Sequence, residues 1–169
     1  RGGPTMDVLQ GNLLMVATIT MGIGAGVYML YSFAIMPGLA KTDDRTFVGA
    51  FQQIDTAIVG PFLIGFFIAP LASAALAAAL QVGDGDRSVL ALTAGAIVLQ
   101  LVMLGITVGV NVPLNDGIKA AGDPNTIDVA AVRKRFSEGR WARWNAVRAG
   151  AATVAFGLLA WALVLQGGS

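Results

Sequence analysis

Apolar residues run in long unbroken stretches along this chain. From about Asn12 to Met36 no charged residue interrupts them. Comparable runs follow from about Ala57 to Leu80, Ser88 to Val110 and Ala146 to Leu165, the last holding one charge, Arg148, in its first turn. A bilayer core asks for roughly 20 apolar residues per helix, so the pattern predicts four membrane-spanning helices, at about 12–36, 57–80, 88–110 and 146–165. The first run is too long for a signal-peptide core and lacks a cleavage site, so it counts as a span. Arg1 to Thr5 receive no structural role, and Met6 reads as a start.

Glycine and proline punctuate the runs. Pro37-Gly38 stops the first, Gly83-Asp84-Gly85-Asp86 turns between the second and third, Pro113 follows the third, and Gly167-Gly168 closes the fourth. Pro61 and Pro70 lie inside the second span and are expected to bend it. Gly22, Gly24 and Gly26, the pair Gly105 and Gly109, and the alanines from Ala74 to Ala79 are small enough for close helix approach.

Two stretches between the runs have helical periodicity. Asp44 to Thr56 places Phe47, Phe51, Ile54 and Ile58 on one face. Thr126 to Asn145 reads as one helix entering the membrane, with Pro124 suited to its first turn, Asp128 at its positive end and a partial stripe of Val129, Val132 and Phe136. The expected fold is therefore all-α. It is an integral membrane up-down four-helix bundle, one transmembrane domain over residues 1–169, with amphipathic helical segments in the first and third loops roofing one end.

Composition sharpens this. Hydrophobic residues make up 56% of the chain and charged ones 12%, against about 45–50% and about 25% in soluble domains. Mean hydropathy is +0.72, which calls for a lipid bilayer as partner and excludes disorder. A net charge of +1 leaves no footprint for nucleic acid. With no Cys and no His, zinc sites, iron–sulfur clusters and His-ligated haem are not expected within this chain, and no metal or cofactor is assigned. The first loop carries Lys41 and Arg45, and the third carries Lys119, Arg133, Lys134, Arg135, Arg140 and Arg143; the other side has Arg1 and Arg87. That asymmetry places the first and third loops in the cytoplasm and the termini outside. Arg133-Lys134-Arg135 reads as a solvated topogenic cluster.

The polar residues gather where four segments of such a bundle would meet. These are the end of the first run, Gln52-Gln53 and Asp55, Asn111 to Asn115, and Trp141 to Arg148. Trp141, Trp144, Asn145 and Arg148 are spaced i, i+3, i+4 and i+7, one helical face. Asn111 and Asn115 flank Pro113, whose missing N–H would free the Gly109 carbonyl for an Asn side chain to satisfy. Arg148 is costly in lipid unless it points inward or is paired, and Asp55 is the nearest plausible partner. Interfacial tryptophans, a structural ion pair and a repaired proline kink would account for the same residues.

In order along the chain, Tyr31-x-Phe33-x-x-Met36-Pro37-Gly38-Leu39, Phe47 to Ile54 with Gln53, Asn111-Val112-Pro113-Leu114-Asn115 and Trp141-x-x-Trp144-Asn145-x-x-Arg148 resemble the DUF1772 group of small four-span membrane proteins. That group includes the anthrone oxygenases of polyketide pathways. The family pattern has Asn where this chain carries Asp55. The resemblance implies oxidation of an activated aromatic methylene by O₂ without a metal. Trp141 and Trp144 would then form an aromatic slot, with Asn115, Gln53 and Tyr31 around it as substrate-binding residues. Arg148, Asn145 and Asn111 would hold a developing oxyanion, and Asp55 would take the proton. The other reading is a non-enzymatic membrane protein that binds a lipid or small molecule, or an accessory subunit of a membrane complex. A homo-oligomer fits either reading.

Overall fold

The computed structural model describes residues 3–58, 64–83 and 86–168. Among the described residues the structure is helical, without strands. Helix α1 (Pro4–Leu30) runs on through a π turn at Tyr31–Ile35 to Met36–Leu39. Helix α2 spans Asp44–Ile58, and α3 (Ala69–Gln81) is entered through a π turn at Ile64–Ile68. Helix α4 (Arg87–Ile106) continues through a π turn at Thr107–Asn111 to Val112–Lys119. Helices α5 (Val129–Phe136) and α6 (Glu138–Gly167) complete the chain.

The α1, α4 and α5–α6 stretches (Thr5–Leu39, Arg87–Lys119 and Val129–Gly167) are long and apolar enough to cross a membrane, by length and composition. Helix α3 is apolar but shorter, 13 residues over Ala69–Gln81. Ala57 and Ile58 of the predicted second span end α2; its residues 59–63, including Pro61, lie outside the described residues, as do Asp84 and Gly85 of the following turn and Arg1 of the basic-residue comparison. Pro4 and Thr5, given no structural role above, lie in the first turn of α1.

Helix α1 packs along α6 and α3, and α4 packs along the same two. Their shared interior is lined by Leu14, Ala17, Met21, Ala74, Ala77, Ala96, Met103, Ala152 and Leu159. The outer faces leave large apolar side chains exposed, among them Ile19, Ile23, Leu101, Val154 and Trp161. Apolar surface on that scale is rare on soluble monomers and is compatible with an integral membrane protein. Gly22 packs against the Phe156 ring. Gly105 and Gly109, expected to mediate close approach, meet nothing within 4 Å and face outward.

Each π turn ends immediately before an X-Pro pair, at Pro37, Pro70 and Pro113. A helical proline cannot donate to the carbonyl four residues back, and its ring collides with it. Widening the preceding turn relieves the collision: the Met36 N–H donates to the Tyr31 carbonyl and the Val112 N–H to the Thr107 carbonyl, five residues back. Pro37 does not stop the first helix, and Pro113 lies within a helix: the chain stays helical to Leu39 and Lys119.

The amphipathic segments cap the end of the molecule where those π turns of α1 and α4 lie. Phe47, Val48 and Phe51 of α2 pack against Val132 and Phe136 of α5 and Trp141 of α6. The Phe51 and Phe136 rings lie 4.6 Å apart, and Phe51 meets Trp141 edge-on at 5.8 Å. The predicted continuous helix over Thr126–Asn145 is broken. Pro124 sits in a turn, Asp128 caps α5 through the Ala131 N–H, and Ser137 adopts a left-handed conformation (φ 55°, ψ 65°) between α5 and α6. The break lets α5 lie across α2 while α6 turns into the apolar interior.

Arg133 holds that corner. Its guanidinium pairs with Glu138 across the break and with Asp44 at 3.0 Å, and it donates to the carbonyls of Thr42 (2.9 Å) and Ala40 (3.2 Å). It also lies 4.3 Å from the Phe47 ring centroid. The solvated basic cluster therefore needs correcting: Arg133 is mostly covered, and only Lys134 and Arg135 are exposed. The carboxylate of Asp43, held below its ordinary range by the Thr46 hydroxyl and N–H, anchors the start of α2.

Candidate functional site

Beneath the α2–α5 cap lies a cavity of about 290 Å³. Its wall is mostly apolar and aromatic, with Val27, Tyr28 and Tyr31 from α1 and its π turn, Ile58 from α2, Phe67 before α3, and Trp141 from α6. The polar wall residues fall into two groups that share no hydrogen bond or ion pair.

The first group centres on Asp55. Its carboxylate accepts from Asn115 Nδ2 at 2.7 Å and is ion-paired with Lys119 Nζ at 2.8 Å. Asn115 Oδ1 accepts from the Trp141 indole N–H at 2.7 Å, which fixes the ring that also meets Tyr31 at 5.6 Å. Lys119 reaches on to Asp116 at 3.2 Å, and along Asp55, Lys119 and Asp116 the side chains go from buried to exposed. Spacing explains the set: Asn115 and Lys119 are i and i+4 on the continuation of α4, facing Asp55 across the gap to α2.

The second group centres on Arg148, only 6% exposed. Its guanidinium donates to Thr107 Oγ1 at 3.1 Å and to Asn145 Oδ1 at 2.8 Å, and it stands 4.8 Å from the Tyr28 ring centroid. Asn145 Nδ2 donates in turn to the Tyr28 carbonyl (3.0 Å) and to Ser32 Oγ (2.8 Å). Both acceptors of Arg148 are neutral, and among the described residues no carboxylate lies within ion-pair distance of it.

The expected pairing of Asp55 with Arg148 is thus replaced by Asp55 with Lys119, because Lys119 lies one helical turn beyond Asn115 on the side facing α2. Neither asparagine repairs the proline kink. Asn115 serves Asp55, and Asn111 Nδ2 points to the Trp141 carbonyl at 3.4 Å. Asn111 is buried but does not line the cavity. Trp144 is 37% exposed and Gln53 is exposed, both away from the cavity wall. The buried seam of α6 runs through Trp141, Asn145, Arg148 and Ala152, and at 100° per residue Trp144 sits roughly a quarter-turn off that seam. Gln53 points opposite to Phe51, Gln52 and Asp55; Gln52 is the buried one, donating to the carbonyls of Ile118 (2.8 Å) and Gly122 (3.1 Å). Tyr31, Asp55, Asn115, Trp141, Asn145 and Arg148 do meet around one cavity.

Tyr28, Ser32, Thr107 and Lys119 were not singled out as site residues. Tyr28, Tyr31 and Ser32 at i, i+3 and i+4 in an apolar run, and Thr107, Asn111 and Asn115 at i, i+4 and i+8, were the available signals.

The family model described as anthrone oxygenase matches residues 52–158, well over half of the chain. The chain belongs to the anthrone oxygenase family. The match takes in Asp55, Asn115, Lys119, Trp141, Asn145 and Arg148, whereas the tyrosine wall on α1 precedes it. No curated protein and no solved structure matches the chain.

Proposed function

We propose that this protein is a four-span integral membrane oxygenase of the anthrone oxygenase family, oxidising an activated aromatic methylene to a carbonyl with O₂ in the cavity beneath α2 and α5. The four spans form an up-down bundle with the first and third loops in the cytoplasm, as the basic-residue asymmetry favours. One observation carries the chemical reading. A single cavity holds a carboxylate, Asp55, and a guanidinium, Arg148, that do not neutralise each other.

That separation suits a substrate that must lose a proton and bear negative charge at a distant oxygen. Asp55 accepts a proton from the methylene carbon, while the charge delocalises onto the ketone oxygen, which faces Arg148. The resulting enolate is electron-rich enough to reduce O₂ directly. A C–O bond forms at the same carbon, and the peroxide anion takes back the proton held by Asp55 to give a hydroperoxide. Loss of the second hydrogen from that carbon and cleavage of the O–O bond leave a carbonyl and one water, so one oxygen atom ends in the product and the other in water. Trp141 and Tyr31 offer flat faces for an aromatic ligand. Asn115 and Lys119 orient the carboxylate, and Asn145 orients the guanidinium.

The test is conversion of an anthrone to the corresponding anthraquinone by purified protein in detergent under air, followed by absorbance. Asp55→Asn is expected to lower the rate roughly 100- to 10,000-fold, the usual range for a lost general base, while the substrate still binds. Binding without product in the unmutated protein would overturn the oxygenase reading and leave a binding protein.

A further inference from the structure

We infer that the cavity takes its ligand as an anion already ionised at a phenol, with the phenolate oxygen of a flat arene seated against Arg148. The inference rests on the functional reading above and narrows it from an arene to an ionised one.

The titratable and charged groups facing the cavity are Tyr28 and Tyr31 from α1 and its π turn, Asp55 from α2, Asp116 and Lys119 from the continuation of α4, and Arg148 from α6; the described residues of α3 add none. Asp55, Lys119 and Asp116 neutralise one another in part and leave a net negative mouth. Arg148 is left with a full positive charge at the inner end. A guanidinium taken out of water without a carboxylate is strongly unfavourable, because two neutral acceptors solvate it only partly. It has five donors, of which Thr107 and Asn145 engage two nitrogens, and its buried Nε has no partner. The Tyr28 and Trp141 rings, with centroids 4.8 and 5.8 Å away, supply weak cation–π contacts and no counter-charge.

The natural complement is a delocalised oxyanion on a body that fills an aromatic, apolar cavity. A carboxylate on a flexible chain would match the charge but not the ring-lined wall. An uncharged arene would match the wall and leave Arg148 uncompensated. Asp55 is tied to Lys119 and Asn115, so it does not swing across to quench the guanidinium when the cavity is empty.

The probe is 2-hydroxyanthraquinone, whose methylene carbon is already a carbonyl, so it does not turn over, and whose ionisation is visible as a colour change. The purified protein in detergent is titrated with this dye across pH, with protein-free micelles as reference. The bound dye is expected to ionise at least one pH unit below the dye in micelles, a tenfold or greater preference for the anion. Arg148→Gln, which keeps polarity and removes charge, is expected to abolish that shift and to weaken binding of the ionised dye tenfold or more. A bound dye that titrates as it does in empty micelles, or no dye binding at all, overturns the inference; so does a shift that survives in Arg148→Gln. The titration on the unmutated protein decides the matter even where the variant does not fold. Turnover of anthrone together with an unshifted dye would refute the anion preference and leave the oxygenase reading standing.

Discussion

Arg133→Ala should loosen the cap over the cavity, by an amount that follows from its contacts. The side chain is 16% exposed and touches three segments: Ala40–Asp44, the Phe47 face of α2, and Glu138 at the start of α6. Exposed ion pairs contribute about 0.5 kcal/mol each, so the partly open Asp44 and Glu138 pairs together give roughly 1 kcal/mol. Hydrogen bonds from a charged donor are worth about 1.5–3 kcal/mol when kept from water. The carbonyls of Ala40 and Thr42 lie in a loop that water reaches, so we take about half the lower value for each. The cation–π contact with Phe47 adds about 0.5 kcal/mol. The total is about 3 kcal/mol, or roughly 100-fold in a local opening equilibrium.

The assay is amide hydrogen exchange, read at Thr42, whose N–H donates to the Leu39 carbonyl, and at Phe47, whose N–H donates to the Asp43 carbonyl. Both should exchange roughly 100-fold faster in Arg133→Ala, while amides in the middle of α4 stay protected. Arg133→Lys should fall between, since an ammonium keeps the charge and loses the fork of donors. Lys134→Ala, one residue on and exposed, should change nothing beyond about 0.5 kcal/mol. Protection at Thr42 and Phe47 within threefold of the unmutated protein would refute the reasoning and return Arg133 to the role of a surface charge.

Two further outcomes are expected. Trp144→Ala and Gln53→Ala should each leave anthrone turnover within about twofold, because both side chains point away from the cavity, and the exposed Gln53 should also leave stability within about 0.5 kcal/mol; a tenfold loss of turnover in either would place it back in the site. In intact cells an impermeant thiol reagent should label Ser88→Cys and leave Ser137→Cys unlabelled; the opposite pattern would invert the proposed sidedness.

Arg148 was conspicuous along the chain as a charge inside an apolar run, and Asp55, Asn115, Trp141 and Asn145 as residues gathered at the ends of such runs. These five surround one cavity. The helical class, the long apolar helices and the amphipathic α2 were equally legible, since periodicity and length are local properties. The π turns before Pro37, Pro70 and Pro113 were only half visible. A proline announces a disturbed turn, but whether the helix stops or widens depends on what the following residues pack against, and here Met36 and Ile118 are held in the capping core.

Partner choice was decided in three dimensions. The sequence pairs Asp55 with Arg148, yet Asp55 takes Lys119 because the continuation of α4 runs beside α2. Trp144 shares the spacing of Trp141 and Asn145 but sits roughly a quarter-turn from the buried seam, a rotation fixed by how α6 packs on α1 and α4. Arg133 looked like its two neighbours in the chain and became a mostly covered latch only when Ser137 turned α5 back over α2. A sequence displays which residues are unusual for their surroundings; which of them meet is set by helix rotation and by contacts far apart along the chain, and the charge left over on Arg148 is a property of that assembly alone.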